Sequence, residues 1–169
     1  MSEATGSVLA LIGGISGDVF GVLGLIVLLV AFGLSKGKDN LIVMMISIYP
    51  AALITEYFPF YSQISIGSGP LGNVLPSLFV FSVVAVATFF IFRNYIDTNY
   101  QHHGFWRAVE IISLSLANVG LTIAILYHIV GIEAYYNFSV VFDGLFVSNL
   151  AMFFWLLLPI VSIPLFIRA

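Results

Sequence analysis

Four polar side chains stand where chemistry inside an apolar chain would need them: Asp18, Glu56, Glu110 and Asn118. A charge at the centre of a membrane helix costs roughly 2.5–3.5 kcal/mol on insertion scales. Each of these groups is therefore either close to water or part of a polar path. Glu110, Ser113 and Ala117 share one helical face, with Asn118 at its edge, and Ser47 and Pro50 fall in the middle of another apolar segment. Such a set can line a small polar cleft. Against a proton or ion pathway, no segment presents a basic residue at the depth of the acids, whereas such pathways show several charges facing one another. By depth, Asp18, Glu56 and Glu110 read as groups near an interface.

Other chemistries find little to work with. The chain has no cysteine, which excludes thiol catalysis, disulfides and Cys-ligated clusters. His102 and His103 are adjacent, so they do not share a helical face, and no acid sits beside them at ligand spacing. No phosphate-binding loop, metalloprotease motif or nucleophile–base pair is present. The expectation is a protein with no catalytic residue, no metal site and no cofactor. Five basic residues against eight acidic ones, with no basic run, give no electrostatic footprint for nucleic acid.

The elements that must hold these residues are membrane helices. The chain is 61% hydrophobic and 8% charged over 169 residues, where soluble domains are about 45–50% apolar and about 25% charged. A span needs about 20 apolar residues. Five segments qualify, near 17–35, 41–59, 76–95, 108–130 and 147–167, or four if the second or fifth only dips in. Lys36-Gly37-Lys38-Asp39-Asn40 reads as the connection between the first two spans, and residues 61–75 read as a Gly/Ser/Pro loop. With five spans, Lys36, Lys38, Arg93, Arg107 and Arg168 all fall on one side. Basic residues stay cytoplasmic, which puts the N-terminus outside and the C-terminus inside. The N-terminal MSEATGS lacks the basic region of a secretory signal. The expected fold is all-α: one polytopic transmembrane domain over 1–169, a bundle of about five helices.

Glycines mark the first of these helices. Gly13, Gly17 and Gly21 recur every four residues and Gly24 follows three later, along one helical face. In lipid, small residues let two helix backbones approach closely. This face is expected to pack against another span or a second copy of the chain. The other reading is a frayed outer end, with a break at Gly13-Gly14 and helix entry near Ser16 or Gly17, Asp18 then lying in the first turn.

The front third resembles the CvpA family, the colicin V production proteins of bacterial inner membranes. The likeness rests on Asp18 opening an apolar span, the Lys36-Gly37-Lys38 turn, and the small and aromatic residues of ISIYPAAL at 46–53. The family's turn has Arg-Gly followed by a basic–acidic pair, where this chain has Lys-Gly-Lys-Asp. The resemblance implies a protein of the bacterial cytoplasmic (inner) membrane without known catalysis, and it transfers no site residues. Together these readings point to a non-catalytic scaffold or accessory subunit. Its partners would be the lipid bilayer and either further copies of itself or a larger membrane complex. The rival expectation is a small channel or transporter with a polar path near Glu56, Glu110 and Asn118.

Overall fold

The computed structural model describes residues 17–64, 71–96, 105–132 and 144–168. Those residues form helices and turns, with no strand among them. Helix α1 spans Gly17–Lys36, α2 Lys38–Glu56, the one-turn α3 Tyr61–Ile64, α4 Leu71–Arg93, α5 Phe105–Ile125 and α6 Asn149–Arg168. A π-helical turn, Leu126–Val130, prolongs α5. Helices α1, α2, α4 and α5 with its π turn are long and apolar enough to cross a membrane. The fifth expected span falls on α6, whose described apolar stretch, Asn149–Pro164, is shorter than those four, so the described residues show four spans of the expected five. The chain is an all-α integral membrane protein.

Gly37 alone separates α1 from α2, so the expected polar connection is shorter than it reads. Its φ of +92° is open to glycine at no steric cost. This lets the chain reverse within one residue, and Lys38 becomes the first residue of a helix rather than part of a loop. The α1 end is closed by donors from several directions. Gly37 N donates to Gly33 O at 2.9 Å, Asn40 Nδ2 to Lys36 O at 2.7 Å, and an Arg107 guanidinium N–H to Leu34 O at 3.2 Å. The last carbonyls of a helix have no partner inside it and carry its negative pole. Arg107 satisfies one of them while its charge suits that pole.

Helices α2 and α5 are the inner pair. Along α2, Lys38, Leu41, Ile42, Met45, Ile48, Ala52 and Thr55 are buried at helical spacing. Along α5, Glu110, Ile111, Leu114, Ala117, Asn118, Leu121 and Ile125 are buried likewise. Helix α1 lies against α5 and α2, α4 against α2, and α6 against α5. The outer helices present Leu, Val and Phe outward, as lipid-facing surfaces do: Val27, Phe79 and Leu150 are among their most exposed side chains. In this arrangement α1 and α4 end, and α2 and α5 begin, at one end of the bundle. Lys36, Lys38, Arg93 and Arg107 gather there, and α6 runs back to the same end to finish at Arg168.

Two glycines set how closely helices meet, and neither belongs to the expected glycine face. A Cβ on Gly120 would overlap the Trp155 ring, so α6 lays its indole directly on the α5 backbone. A Cβ on Gly33 would stand 2.6 Å from Leu41 Cδ1 and 2.8 Å from Ile111 Cγ2, which brings α1 onto both inner helices. Above Gly120 an aromatic column ties the α5 end to α6. Tyr127 stacks on Phe146 with centroids 6.1 Å apart, Phe146 stacks on Trp155 at 5.3 Å, and Trp155 Nε1 donates to Leu145 O at 3.1 Å.

Candidate functional site

The polar groups that matter lie on the seam between α2 and α5. Lys38 opens α2 and is in register with its buried stripe, while Glu110 stands one turn into α5. Their side chains meet with Lys38 Nζ 3.2 Å from Glu110 Oε2, at 6% and 5% exposure. This corrects the expectation that no basic residue faces the acids. The sequence places Lys38 in the connection between two spans, and the one-residue turn at Gly37 carries it into the bundle instead. Two charges this far from water persist because each is the other's counter-ion.

Eight residues further along α5, about 12 Å up the axis, Asn118 is fully buried. Its Nδ2 donates to Leu41 O of α2 and to Leu114 O of its own helix, both at 3.0 Å. Asn118 therefore ties the two inner helices together through a backbone carbonyl. Its Oδ1 has no hydrogen-bond partner, nor does the buried Ser115 Oγ three residues before it. Thr88 of α4 joins the other side of α2. Its Oγ1 donates to Val84 O at 2.7 Å and lies 3.1 Å from Ser47 O, one residue past Ile46, whose carbonyl Pro50 cannot serve. Tyr49 OH donates to Leu156 O of α6 at 2.7 Å.

The expected residues thus separate. Glu110 and Asn118 share the α2–α5 seam. Glu56 is exposed at the far end of α2, eighteen residues or about 27 Å from Lys38, so it does not join them. Gly17 and Asp18 open α1; their side-chain surroundings, together with Gly13, His102 and His103, lie outside the described residues. Gly21 and Gly24 meet nothing: a Cβ on either would have no atom within 4 Å. Among the described residues their face has no partner. His128 is half-buried, its Nδ1 3.1 Å from Ala124 O and its Nε2 without a partner. Among the described residues no three His, Asp or Glu side chains gather in a way that suits a metal ion.

Sequence reasoning missed Lys38, Gly33 and Gly120. For Lys38 a signal existed: it heads the 38, 41, 45, 48, 52 stripe at helical spacing. For Gly33 and Gly120 there was none, since what makes them necessary is a side chain from another helix.

Among the described residues, this seam joins α2 to α5 by one charge pair and one side-chain hydrogen bond to a backbone carbonyl. Comparison with family models, with curated proteins and with solved structures found no match.

Proposed function

We propose that this protein is a non-catalytic membrane scaffold or accessory subunit that docks through the glycine face of α1 onto a second copy or a larger membrane complex. The observation that carries this reading is that Gly21 and Gly24 bare their backbone to open space on a helix of which only 11% of the span is buried. In lipid, apolar surface alone does not drive helix association; close backbone approach at small residues does. The seam supports the same reading, because Lys38, Glu110 and the Asn118 amide are engaged between helices rather than turned toward a passage. The basic end faces the cytoplasm, following the bias of Lys and Arg. A bacterial inner membrane and a CvpA-like role belong to the same proposal and rest on residues 18–53.

The test is the mass of the purified protein in a mild detergent or a lipid disc. A defined oligomer that becomes a monomer on Gly21→Leu is expected. A wild-type monomer, or an oligomer indifferent to the substitution, refutes the reading.

The channel or transporter reading has one observation in its favour: Ser115 Oγ and Asn118 Oδ1 are buried in mid-helix without partners, as groups facing intermittent water would be. Because the chain has no native cysteine, single cysteines at 56, 110 and 118 separate the two. The scaffold reading expects a water-soluble thiol reagent to label position 56 only. Labelling at 110 and 118 favours a wet path.

A further inference from the structure

A cavity of about 310 Å³ lies among α1, α2, α4 and α5, within the range of about 300–1,000 Å³ typical of ligand pockets. Phe32 of α1, Met44 of α2 and Phe81, Ala85, Phe89 and Phe90 of α4 line it. Among the described lining residues the polar ones, Ser47 of α2 and Thr122 of α5, already donate to carbonyls of their own helices, Val43 O and Asn118 O. The cavity therefore offers a ligand apolar contact and almost no hydrogen bonding. Its α4 wall is open to the outside, with Phe90 58% exposed, so a ligand enters sideways from the lipid.

By helical spacing, a cation follows the lining residues of α1 and of α4. Lys36 follows Phe32 by four residues on α1. Arg93 follows Phe89 by four and Phe90 by three on α4. Residues three and four apart stack on one helical face, about 5–6 Å apart along the axis. Lys36 and Arg93 are both exposed, and both sit at the basic end of the bundle, where α1 and α4 reach the headgroup region. Long basic side chains near helix ends extend toward that region. Arginine and lysine there suit a phosphate, and anionic lipids are drawn to juxtamembrane cations.

We propose that this groove binds one anionic phospholipid, with an acyl chain among Phe32, Phe81, Phe89 and Phe90 and its phosphate between Lys36 and Arg93. The apolar slot and the two cations one turn beyond it match the two ends of such a molecule. A helix from a second copy would fill the slot without using the charges.

The experiment is native mass spectrometry of the full chain released from discs holding equal phosphatidylglycerol and phosphatidylcholine with identical acyl chains. One retained phosphatidylglycerol is expected, favoured over phosphatidylcholine by about ten-fold. Combining Lys36→Gln with Arg93→Gln brings the ratio close to one, and Ala85→Trp removes both lipids. Because Ala85→Trp can disturb folding, Phe90→Trp gives a second measurement. Its fluorescence, above the constant Trp106 and Trp155 background, is expected to be quenched more by brominated phosphatidylglycerol than by brominated phosphatidylcholine. Retention without headgroup preference, a preference that survives the double substitution, or a dimer in place of the lipid adduct overturns the proposal.

Discussion

Removing one partner of the Lys38–Glu110 pair takes a counter-ion from a charge inside the bundle. At 3.2 Å two unit charges attract by about 5 kcal/mol at an effective dielectric of 20, and this attraction offsets the desolvation of both groups. When one partner of a buried pair is lost, the desolvation stays and the attraction goes, at a cost of about 3–5 kcal/mol. The two single substitutions should differ. Without Glu110, the long Lys38 side chain at the head of α2 can swing its ammonium toward the interface. Without Lys38, the shorter Glu110 carboxylate, one turn into α5, has no such route. Lys38→Met is therefore expected to destabilise by about 3–5 kcal/mol, and Glu110→Leu by less. Combining Lys38→Met with Glu110→Leu should recover most of the loss, since replacing a buried pair by apolar residues is often neutral. The assay is a double-mutant cycle by denaturant unfolding in a mild detergent, followed by circular dichroism. Single variants within about 0.5 kcal/mol of wild type would refute the reasoning, as surface substitutions behave that way. A double variant as unstable as the sum of the two singles would refute it as well, because contacting residues couple and independent ones add.

Glycine substitutions should divide by contact rather than by motif. Gly120→Ala drives a methyl into Trp155 and is expected to lower stability by about 1–3 kcal/mol, while Gly24→Ala, with nothing near it, should leave the monomer unharmed or raise helix stability by up to about 1 kcal/mol; thermal unfolding of the two in one detergent compares them. Asn118→Ala removes the bond to Leu41 O and should cost about 0.6–1.7 kcal/mol, the range of interhelical hydrogen bonds in membrane proteins, read from the same unfolding curves. Gly37→Ala places a side chain at φ +92° and is expected to cost about 1–3 kcal/mol. Accelerated hydrogen exchange at residues 33–42 would localise that loss to the α1–α2 turn.

The helices themselves were legible because membrane spans announce themselves by length and apolarity, which need no partner to be read. The turn between the first two spans was legible as a place and not as a shape. Five polar or glycine residues in a row look like a loop, yet Asn40 is drawn back to close α1 and Lys38 starts α2. That single difference moves a cation from water into the bundle and supplies the partner that Glu110 lacked in the sequence reading. The glycine face is visible in the sequence as a pattern, of which Gly17, Gly21 and Gly24 fall on α1, but periodicity cannot say what stands opposite. Among the described residues nothing does, whereas Gly33 and Gly120, which follow no motif, each meet a side chain from another helix.

The sequence by itself determined the solvent of this protein and where its helices lie along the chain. Both follow from local properties: the transfer energy of each apolar stretch, and the polar and glycine residues that interrupt it. Only the tertiary structure decided which polar groups are neighbours. Lys38 and Glu110 are 72 residues apart in the chain, and Asn118 and Leu41 are 77 apart. In lipid, apolar faces attract one another little more than they attract acyl chains. The pairing of helices is thus set by which side chains close a charge, a hydrogen bond or a glycine notch across the interface, and that is a property of the packed bundle alone.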